Sequence, residues 1–577
     1  MENAVYSSDI QRKAKDSKNR VLNENIRRSQ NFYQSDLIFQ HWLNNRLSAG
    51  AYAYMSDKLN RLGQLAAGKM NELSLLADKE APKLIKRNWL GETINEIQFH
   101  PAYWELIKIA VDSEMFRVKW EPNLRTNFYA EIQRMGFSAD FLYSMAEGGV
   151  PCPLCMTDGV ARLIDRYCDN ADKKRLLSHI YTENAEELYT GAMFLTEKAG
   201  GSDVGANIVS ASHIAGDYYA LNGEKWFCSN ANAEIIFALA RTNPEIKGTK
   251  GLSIFLIEKH KPDGSKNEME IVRLKDKLGV RAMASAECIL TDTWGKLVGA
   301  KGEGFKIMTD MINLSRLYNA MGSVSGMRRG LVEAYEFLYN RQTFGNETLN
   351  HALIREKLSE LSALYQANFY LVWEAISLLD EADNGNEEAE HILRLLTPMV
   401  KKYAAEAGVY LIRECMELMG GLGYIEDGIM PKLFRDTLVL PIWEGAGNIM
   451  TLDMLRAVSK SNGMWLIIKQ IENAFQKSGT YQKGLENKLN ELKSLVEQLG
   501  KNDQETTELI AKTIFDCLVK LYQLALLIEN KDEESEVWLN PAIDYMYNSL
   551  ITNSLQVRKP NSREVVEKMM AWKIEYV

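Results

Sequence analysis

Asp217-Tyr-Tyr-Ala-Leu-Asn-Gly-Glu-Lys-Trp-Phe227 is where the reading of the fold turns. Apolar and polar residues alternate on both sides of Asn222-Gly223, the dipeptide that most favours a two-residue β-hairpin turn. Strand-like runs follow at Glu234–Ala240, Leu252–Ile257, Met269–Arg273 and Ala286–Leu290, with turn residues between them. The pattern predicts a compact antiparallel β-domain over 190–302, inserted between helical regions.

Outward from it the period changes. Residues 36–189 read as helix: Met55–Leu65 and Asn127–Met135 place apolar residues three and four apart. Glu147–Thr157 reads as a loop leading into a further helix. Its Cys152-Pro-Leu-Cys155 has the spacing of a redox pair or a zinc half-site, but no second ligand pair follows, and ordinary packing is the reading preferred. Helix resumes over 303–460, where Ile354, Leu358, Leu361 and Tyr365 share a face. After the polar Ser459–Gly463, a further helical unit spans 461–577, with Leu485, Leu489, Leu492, Val496 and Leu499 on one stripe and Gly500 as its stop. Residues 1–35 read as a mobile, solvated leader: seven basic residues are interspersed with Glu2, Asp9, Asp16 and Glu24, against the composition of a transit peptide.

Composition sets limits. Of 577 residues, 46% are hydrophobic and 25% charged, which excludes wholesale disorder. Net charge is −9, against a protein-wide nucleic-acid footprint. Seven dispersed cysteines suit a reducing compartment, and no run approaches a membrane span, so a cytoplasmic location is expected. There is no GxGxxG after a strand, no GxxxxGK[ST], and no histidine pair at ligand spacing. Rossmann, P-loop and metal chemistry are therefore not expected, and no metal is assigned.

Four segments remain that carry chemistry. Met193-Phe-Leu-Thr-Glu-Lys-Ala-Gly-Gly-Ser-Asp203 is a strand entering a glycine-rich loop whose amides could approach a planar or phosphorylated ligand. Lys225-Trp-Phe-Cys-Ser-Asn230 places aromatics beside a hydroxyl. Arg341-Gln-Thr-Phe-Gly345 joins a guanidinium, a hydroxyl and an aromatic, as phosphate and adenine recognition require. Pro441-Ile-Trp-Glu-Gly-Ala-Gly-Asn-Ile-Met450 sets Glu444 in an apolar stretch, where desolvation would raise its pKa toward that of a useful base. Singly, each has an ordinary reading as a turn, a solvated acid or a helix end. Their order and spacing decide between the two.

Together the four resemble the acyl-CoA dehydrogenase family of flavoproteins over roughly residues 90–460, in its AidB-like branch. Branch-level marks are Phe99-His-Pro-Ala-Tyr-Trp104, Pro151-Cys-Pro153 with Met156-Thr157, Arg273-Leu-Lys-Asp-Lys-Leu-Gly279 and Met416-Glu-Leu-Met-Gly-Gly-Leu-Gly-Tyr424, besides the Glu444 segment. The resemblance implies an α+β fold of N-terminal helical domain, middle β-domain, helical bundle and added C-terminal helical domain, with FAD as cofactor. It implies that Met193, Leu195 and Thr196 line the flavin ring, that Phe227 lies against it with Cys228 and Ser229 beside it, and that Gly201 and Ser202 approach the phosphates and the acyl-CoA. Arg341, Thr343 and Phe344 match a motif that holds the ADP half of a neighbouring subunit's FAD. Glu417, Gly420 and Gly421 match the partner segment, with Glu417 a departure from the Gln often found there. Asn448 matches a helix-start residue reaching the cofactor.

Glu444 matches the family's base, and its backbone amide the donor that polarises the thioester carbonyl; Arg316, Trp443 and Gly445 are the implied substrate neighbours. The helix that carries the base in some relatives corresponds to Asn313–Met321, which has Ser315-Arg316 and no carboxylate before the arginine. The implied reaction removes a Cα proton and passes a Cβ hydride to flavin N5, giving a trans-2-enoyl-CoA in fatty acid metabolism. A homotetramer or dimer of dimers and an electron-transferring flavoprotein as acceptor come with the resemblance. The branch also implies two alternatives: a DNA-associated alkylation-response flavoprotein with weak activity, and an acyl-binding regulator. Residues 461–577 hold 14 Lys and Arg against 17 Asp and Glu, a net of −3, which argues against DNA as a partner of the added unit. Filter retention of duplex DNA across a salt series tests this, with weak, salt-insensitive retention the expected outcome.

Overall fold

The computed structural model describes residues 31–551 and 559–574. Most of the expected leader, 1–35, lies outside the described residues. Its last residues form a helical turn, Phe32–Ser35, capped by Asn31 and packed by the buried Phe32.

The helical N-terminal region holds α1 (Ala49–Ala67), α2 (Lys69–Lys79), α3 (Pro101–Asp112), α4 (Ile132–Ala146) and α5 (Pro151–Tyr167). Three local expectations are corrected. Asn127–Met135 is not one helix: a short helix ends at Asn127, and α4 begins only at Ile132. The presumed loop at Glu147–Thr157 is already helical from Pro151, which occupies the first turn, where a missing N–H costs nothing. A hairpin of β1 (Lys83–Arg87) and β2 (Thr93–Gln98) interrupts the helices; both its faces are largely exposed, so the sequence carries no buried alternation there.

The middle sheet comprises β3 (Gly191–Phe194), β4 (Ser210–Ala215), β5 (Tyr218–Ser229), β6 (Ile235–Arg241), β7 (Leu252–Glu258), β8 (Met269–Leu274) and β9 (Ser285–Val298). Its order is β3-β6-β4-β5-β9-β7, and β7 also pairs β6, so the sheet curls back on itself around Phe194, Leu221, Ala238 and Phe255. It is mixed rather than wholly antiparallel, because β3 runs parallel to β6. The expected hairpin at Asn222-Gly223 is absent: β5 runs straight through it, and the chain reverses earlier, at Gly216-Asp217. Gly223 sits at a register shift against β9 with φ +137°, where a Cβ would come within 2.9 Å of Val209. Asn222 exchanges hydrogen bonds with Asp292, Nδ2 donating to Oδ1 at 3.0 Å and Oδ1 accepting from the Asp292 N–H at 2.9 Å. The dipeptide serves a β-bulge instead of a turn.

Beyond the sheet come α6 (Gly304–Tyr339), α7 (Ala352–Asp383), α8 (Glu387–Leu418), α9 (Met430–Thr437) and α10 (Gly447–Lys460). Apolar side chains surround α6 on every face, so it is the central helix of the bundle. Its Arg328 is wholly buried: Nε and Nη2 donate to the Asp36 carboxylate, each at 2.8 Å, and Nη1 and Nη2 to the carbonyls of Met570 and Ala571. Around the same point, Leu37 N–H donates to Ala571 O and Lys573 N–H to Ser35 O.

The added unit holds α11 (Gly463–Gln476), α12 (Gln482–Val496), α13 (Gln504–Glu529), α14 (Glu536–Ile551) and α15 (Arg563–Met570). Leu485, Leu489, Leu492 and Val496 are buried as expected, but α12 ends at Val496, short of Leu499 and Gly500. Among the described residues, no helix is long and apolar enough to cross a membrane.

Asp140 on α4 is fully buried, and burial raises its pKa to about 7; Ser144 donates to Oδ1, while Oδ2 has no partner. A raised carboxyl binds protons more tightly in the folded state, so stability falls as pH rises from about 4 to 7. Asp140→Asn is expected to raise the unfolding free energy measured by urea titration at pH 8 by an amount on the order of a few kcal/mol, and to change it little at pH 4.

Candidate active site

The site is a cleft between α6, the start of α5, and the segment joining α9 to α10. Glu444 lies at its wall in a left-handed turn, φ +57°, followed by Gly445 at +106°. Two cations fasten this turn through its carbonyls. Arg316 Nε donates to Glu444 O at 3.2 Å while its Nη1 binds Asp453 at 2.6 Å. Lys401 Nζ donates to Gly445 O and to Pro441 O. Burial pushes the Glu444 carboxyl above its ordinary range; the Ser315 hydroxyl, Arg316 and Lys401 pull against that rise. Lys401, buried among them, is lowered to about 8 by desolvation. The φ of +106° is what favours glycine at 445, since few side chains adopt it.

Cys152 and Cys155 line the same cleft from the first turn of α5. Burial raises both thiols, Cys152 to about 12, so neither is a ready thiolate. Cys152 also carries the link to the sheet, since Ser229, Lys277 and Glu444 are all among its neighbours. The end of β5 and the base turn thus both lie close to one thiol.

On the sheet side, Met193 lies on β3 and is partly buried, as are Leu195 and Thr196 just beyond it. Thr196 O accepts from Trp226 N–H at 2.9 Å, which ties the strand end to β5. Gly201 packs close to Thr196, and Ser202 is exposed. Beneath them a buried pair anchors the glycine-rich loop: Lys225 Nζ donates to Glu197 at 2.7 Å, and Glu197 also accepts from the N–H groups of Ile208 and Val209. Phe227, φ +57°, stands at a second bulge of β5 and is 56% exposed, with Lys275 Nζ 4.5 Å from its ring centre. Cys228 faces the sheet core, so only its backbone is available to a ligand.

The remaining residues expected at the site do not line the cleft. Arg341 stacks on Phe337, Thr343 bonds His351, and the tight turn at Phe344-Gly345 holds Phe344 99% exposed. Glu417 pairs with Arg413 at 2.8 Å on the surface near the end of α8, and Gly420 and Gly421 have no atom within 4 Å of where a Cβ would stand. Asn448 is exposed in the first turn of α10. Among the described residues, Phe227, Asn230, Phe344 and Glu444 are four of nine non-glycine residues with left-handed backbone, so the strain gathers in three of the four quoted segments.

These features suit a flavin dinucleotide: an exposed aromatic face at Phe227, main chain at Leu195–Thr196, open glycines, and a guanidinium on an outlying hairpin. Sequence reasoning missed Ser315, Asn319, Gly322 and Lys401. A lysine between Val400 and Ala404 on an otherwise apolar face was the available signal for the last.

Three family models match in succession: adaptive response protein AidB N-terminal domain over residues 24–184, acyl-CoA dehydrogenase middle domain over 192–293, and acyl-CoA dehydrogenase C-terminal domain over 302–459. The putative acyl-CoA dehydrogenase AidB of Escherichia coli K12 is 32% identical over 72% of this chain and 76% of its own. Acyl-CoA dehydrogenase family member 11 of Caenorhabditis elegans is 28% identical over 88% of this chain and 85% of its own. Among solved structures, the C. elegans ACDH-11 complex with C11-CoA superposes with a TM-score of 0.84 at 27% identity, covering 91% of this chain and 92% of that one. The apo-form of Bd2924 gives a TM-score of 0.79 at 30% identity over 86% and 98%. With the helical, sheet and helical layers in this order, the chain belongs to the acyl-CoA dehydrogenase family of FAD-dependent oxidoreductases acting on acyl-CoA, on its AidB-like side.

Proposed function

We propose that the chain dehydrogenates an acyl-CoA thioester between Cα and Cβ, with Glu444 as the base that takes the α-proton. The observation that carries this is the Glu444 turn. Its backbone is held by Arg316 and Lys401, and its carboxyl is partly buried at the wall of the cleft. A carboxylate with raised proton affinity suits removal of a weakly acidic α-proton. The Glu444 N–H polarises the thioester carbonyl as negative charge develops there. Arg316 and Trp443 position the turn and the thioester end, and Gly445 lets the chain approach.

FAD, when bound, supplies the acceptor for the β-hydrogen and its electron pair. Met193, Leu195, Thr196, Phe227 and Ser229 hold its ring, Gly201 and Ser202 its phosphates, and Asn448 approaches from α10. Arg341, Thr343 and Phe344 serve the ADP half in a second copy, against that copy's Glu417, Gly420 and Gly421, which makes a homotetramer or dimer of dimers part of the reading. An electron-transferring flavoprotein as acceptor, residence in the cytoplasm, and the division at 189/190, 302/303 and 460/461 belong to it as well.

Glu444→Gln is expected to abolish flavin bleaching by acyl-CoA, a loss of about 100-fold or more in the reductive rate, while FAD stays bound. Unchanged turnover would remove Glu444 as base. The pH profile should be bell-shaped. Its acid limb lies above the ordinary carboxylate range, because the raised Glu444 carboxyl must ionise first. Its alkaline limb lies near pH 8, because Lys401 loses the positive charge with which it holds the turn. Lys401→Met is expected to lower kcat about 10-fold and flatten the alkaline limb, read in stopped-flow reduction across pH 6–10.

A further inference from the structure

Ser315, Asn319, Gly322 and Gly326 recur at intervals of four, three and four along α6, so they share one face, and all four line the cleft that begins at Glu444. At 1.5 Å per residue this wall runs about 16 Å. A Cβ at Gly322 would meet no atom within 4 Å, whereas one at Gly326 would lie 3.5 Å from Ile412 and 3.6 Å from Thr437. The channel is thus open at Gly322 and narrows at Gly326. A straight hydrocarbon with bonds of about 1.5 Å advances roughly 1.3 Å per carbon, so about eight carbons carry it past Gly322 and about twelve to the narrowing.

A second observation bears on what the chain carries. Asn319 is 5% exposed. Its Nδ2 donates to Leu440 O at 3.0 Å, which orients the amide and leaves Oδ1 buried without a partner. A plain methylene chain would leave Asn319 Oδ1 unpaired, and an unpaired buried polar atom is costly. A hydroxyl can donate to it. Asn319 lies one helical turn beyond Ser315, about 6 Å along the wall, level with roughly the sixth carbon of a chain whose Cα sits at the base.

We propose that this site takes an unbranched acyl-CoA of roughly eight to twelve carbons whose mid-chain hydroxyl donates to Asn319 Oδ1, and that Gly322 determines how far the chain reaches. The inference rests on the dehydrogenase reading above. It is tested on the FAD-loaded enzyme with butyryl-, decanoyl- and 6-hydroxydecanoyl-CoA, by flavin bleaching and by calorimetric Kd. Wild type is expected to favour decanoyl over butyryl, and 6-hydroxydecanoyl over decanoyl by about tenfold. Gly322→Leu projects into open space within a helix, so the fold tolerates it, and it should cut the decanoyl-to-butyryl ratio at least tenfold. Asn319→Leu should erase the preference for the hydroxylated chain while the decanoyl-to-butyryl ratio stays above one. A decanoyl-to-butyryl ratio unmoved by Gly322→Leu overturns the reach, and equal treatment of the two decanoyl thioesters by wild type overturns the hydroxyl. If no thioester bleaches the flavin, the dehydrogenase reading fails, while the Kd series still decides the channel.

Discussion

A helix buried over most of its length has little solvent in which to leave its charges, and α6 carries three buried arginines. Each is placed where a carboxylate and main-chain carbonyls can absorb it. Arg328 takes Asp36 and the end of α15; Arg329 takes Glu333 and Met145 O; Arg316 takes Asp453 and the carbonyl of Glu444. Buried charge of this kind adds little net stability but makes alternatives expensive, since a lost partner strands an ion. The same constraint that fixes the bundle therefore reaches the base turn, because Arg316, paired with Asp453 and Asn313, also donates to the carbonyl of residue 444.

Local strain and tertiary support go together at this site. Left-handed backbone at Phe227, Phe344 and Glu444 disfavours side chains with a Cβ, and each case has its own restraint: a bulge between β5 and β9, a two-residue ladder, and the pair of cations on the base turn. Such residues project where regular structure would not send them. Phe227 leaves the sheet surface and Phe344 leaves the molecule altogether.

The legibility of the sequence followed the range of the forces involved. Burial patterns are local, so the continuous buried runs of β6 and β7, the stripe on α7 and the order of helical and sheet regions could all be read. The four chemical segments were legible because glycine and aromatic residues in fixed order are rare by chance. Asn222-Gly223 misled, because a bulge and a turn ask for the same backbone freedom, and only the pairing of β5 with β9 distinguishes them. Asn319 was silent, since its role arises from a carbonyl 121 residues away in the chain, and Lys401 showed only as a charge on an apolar face, its carbonyl partners lying 40 and 44 residues on. The hairpin at Lys83–Gln98 buries too little to leave a pattern.

The clasp around Arg328 has a mechanical side. Asp36 and Trp572 form a bridge, and Ser35, Leu37, Ala571 and Lys573 share hydrogen bonds there, so the first and last described elements are joined to each other and to the middle of α6. The described chain is in effect a closed loop fastened without a covalent bond. Tension applied at either end would reach the central helix directly, bypassing the sheet, and would have to extract a guanidinium from its carboxylate before any layer could separate.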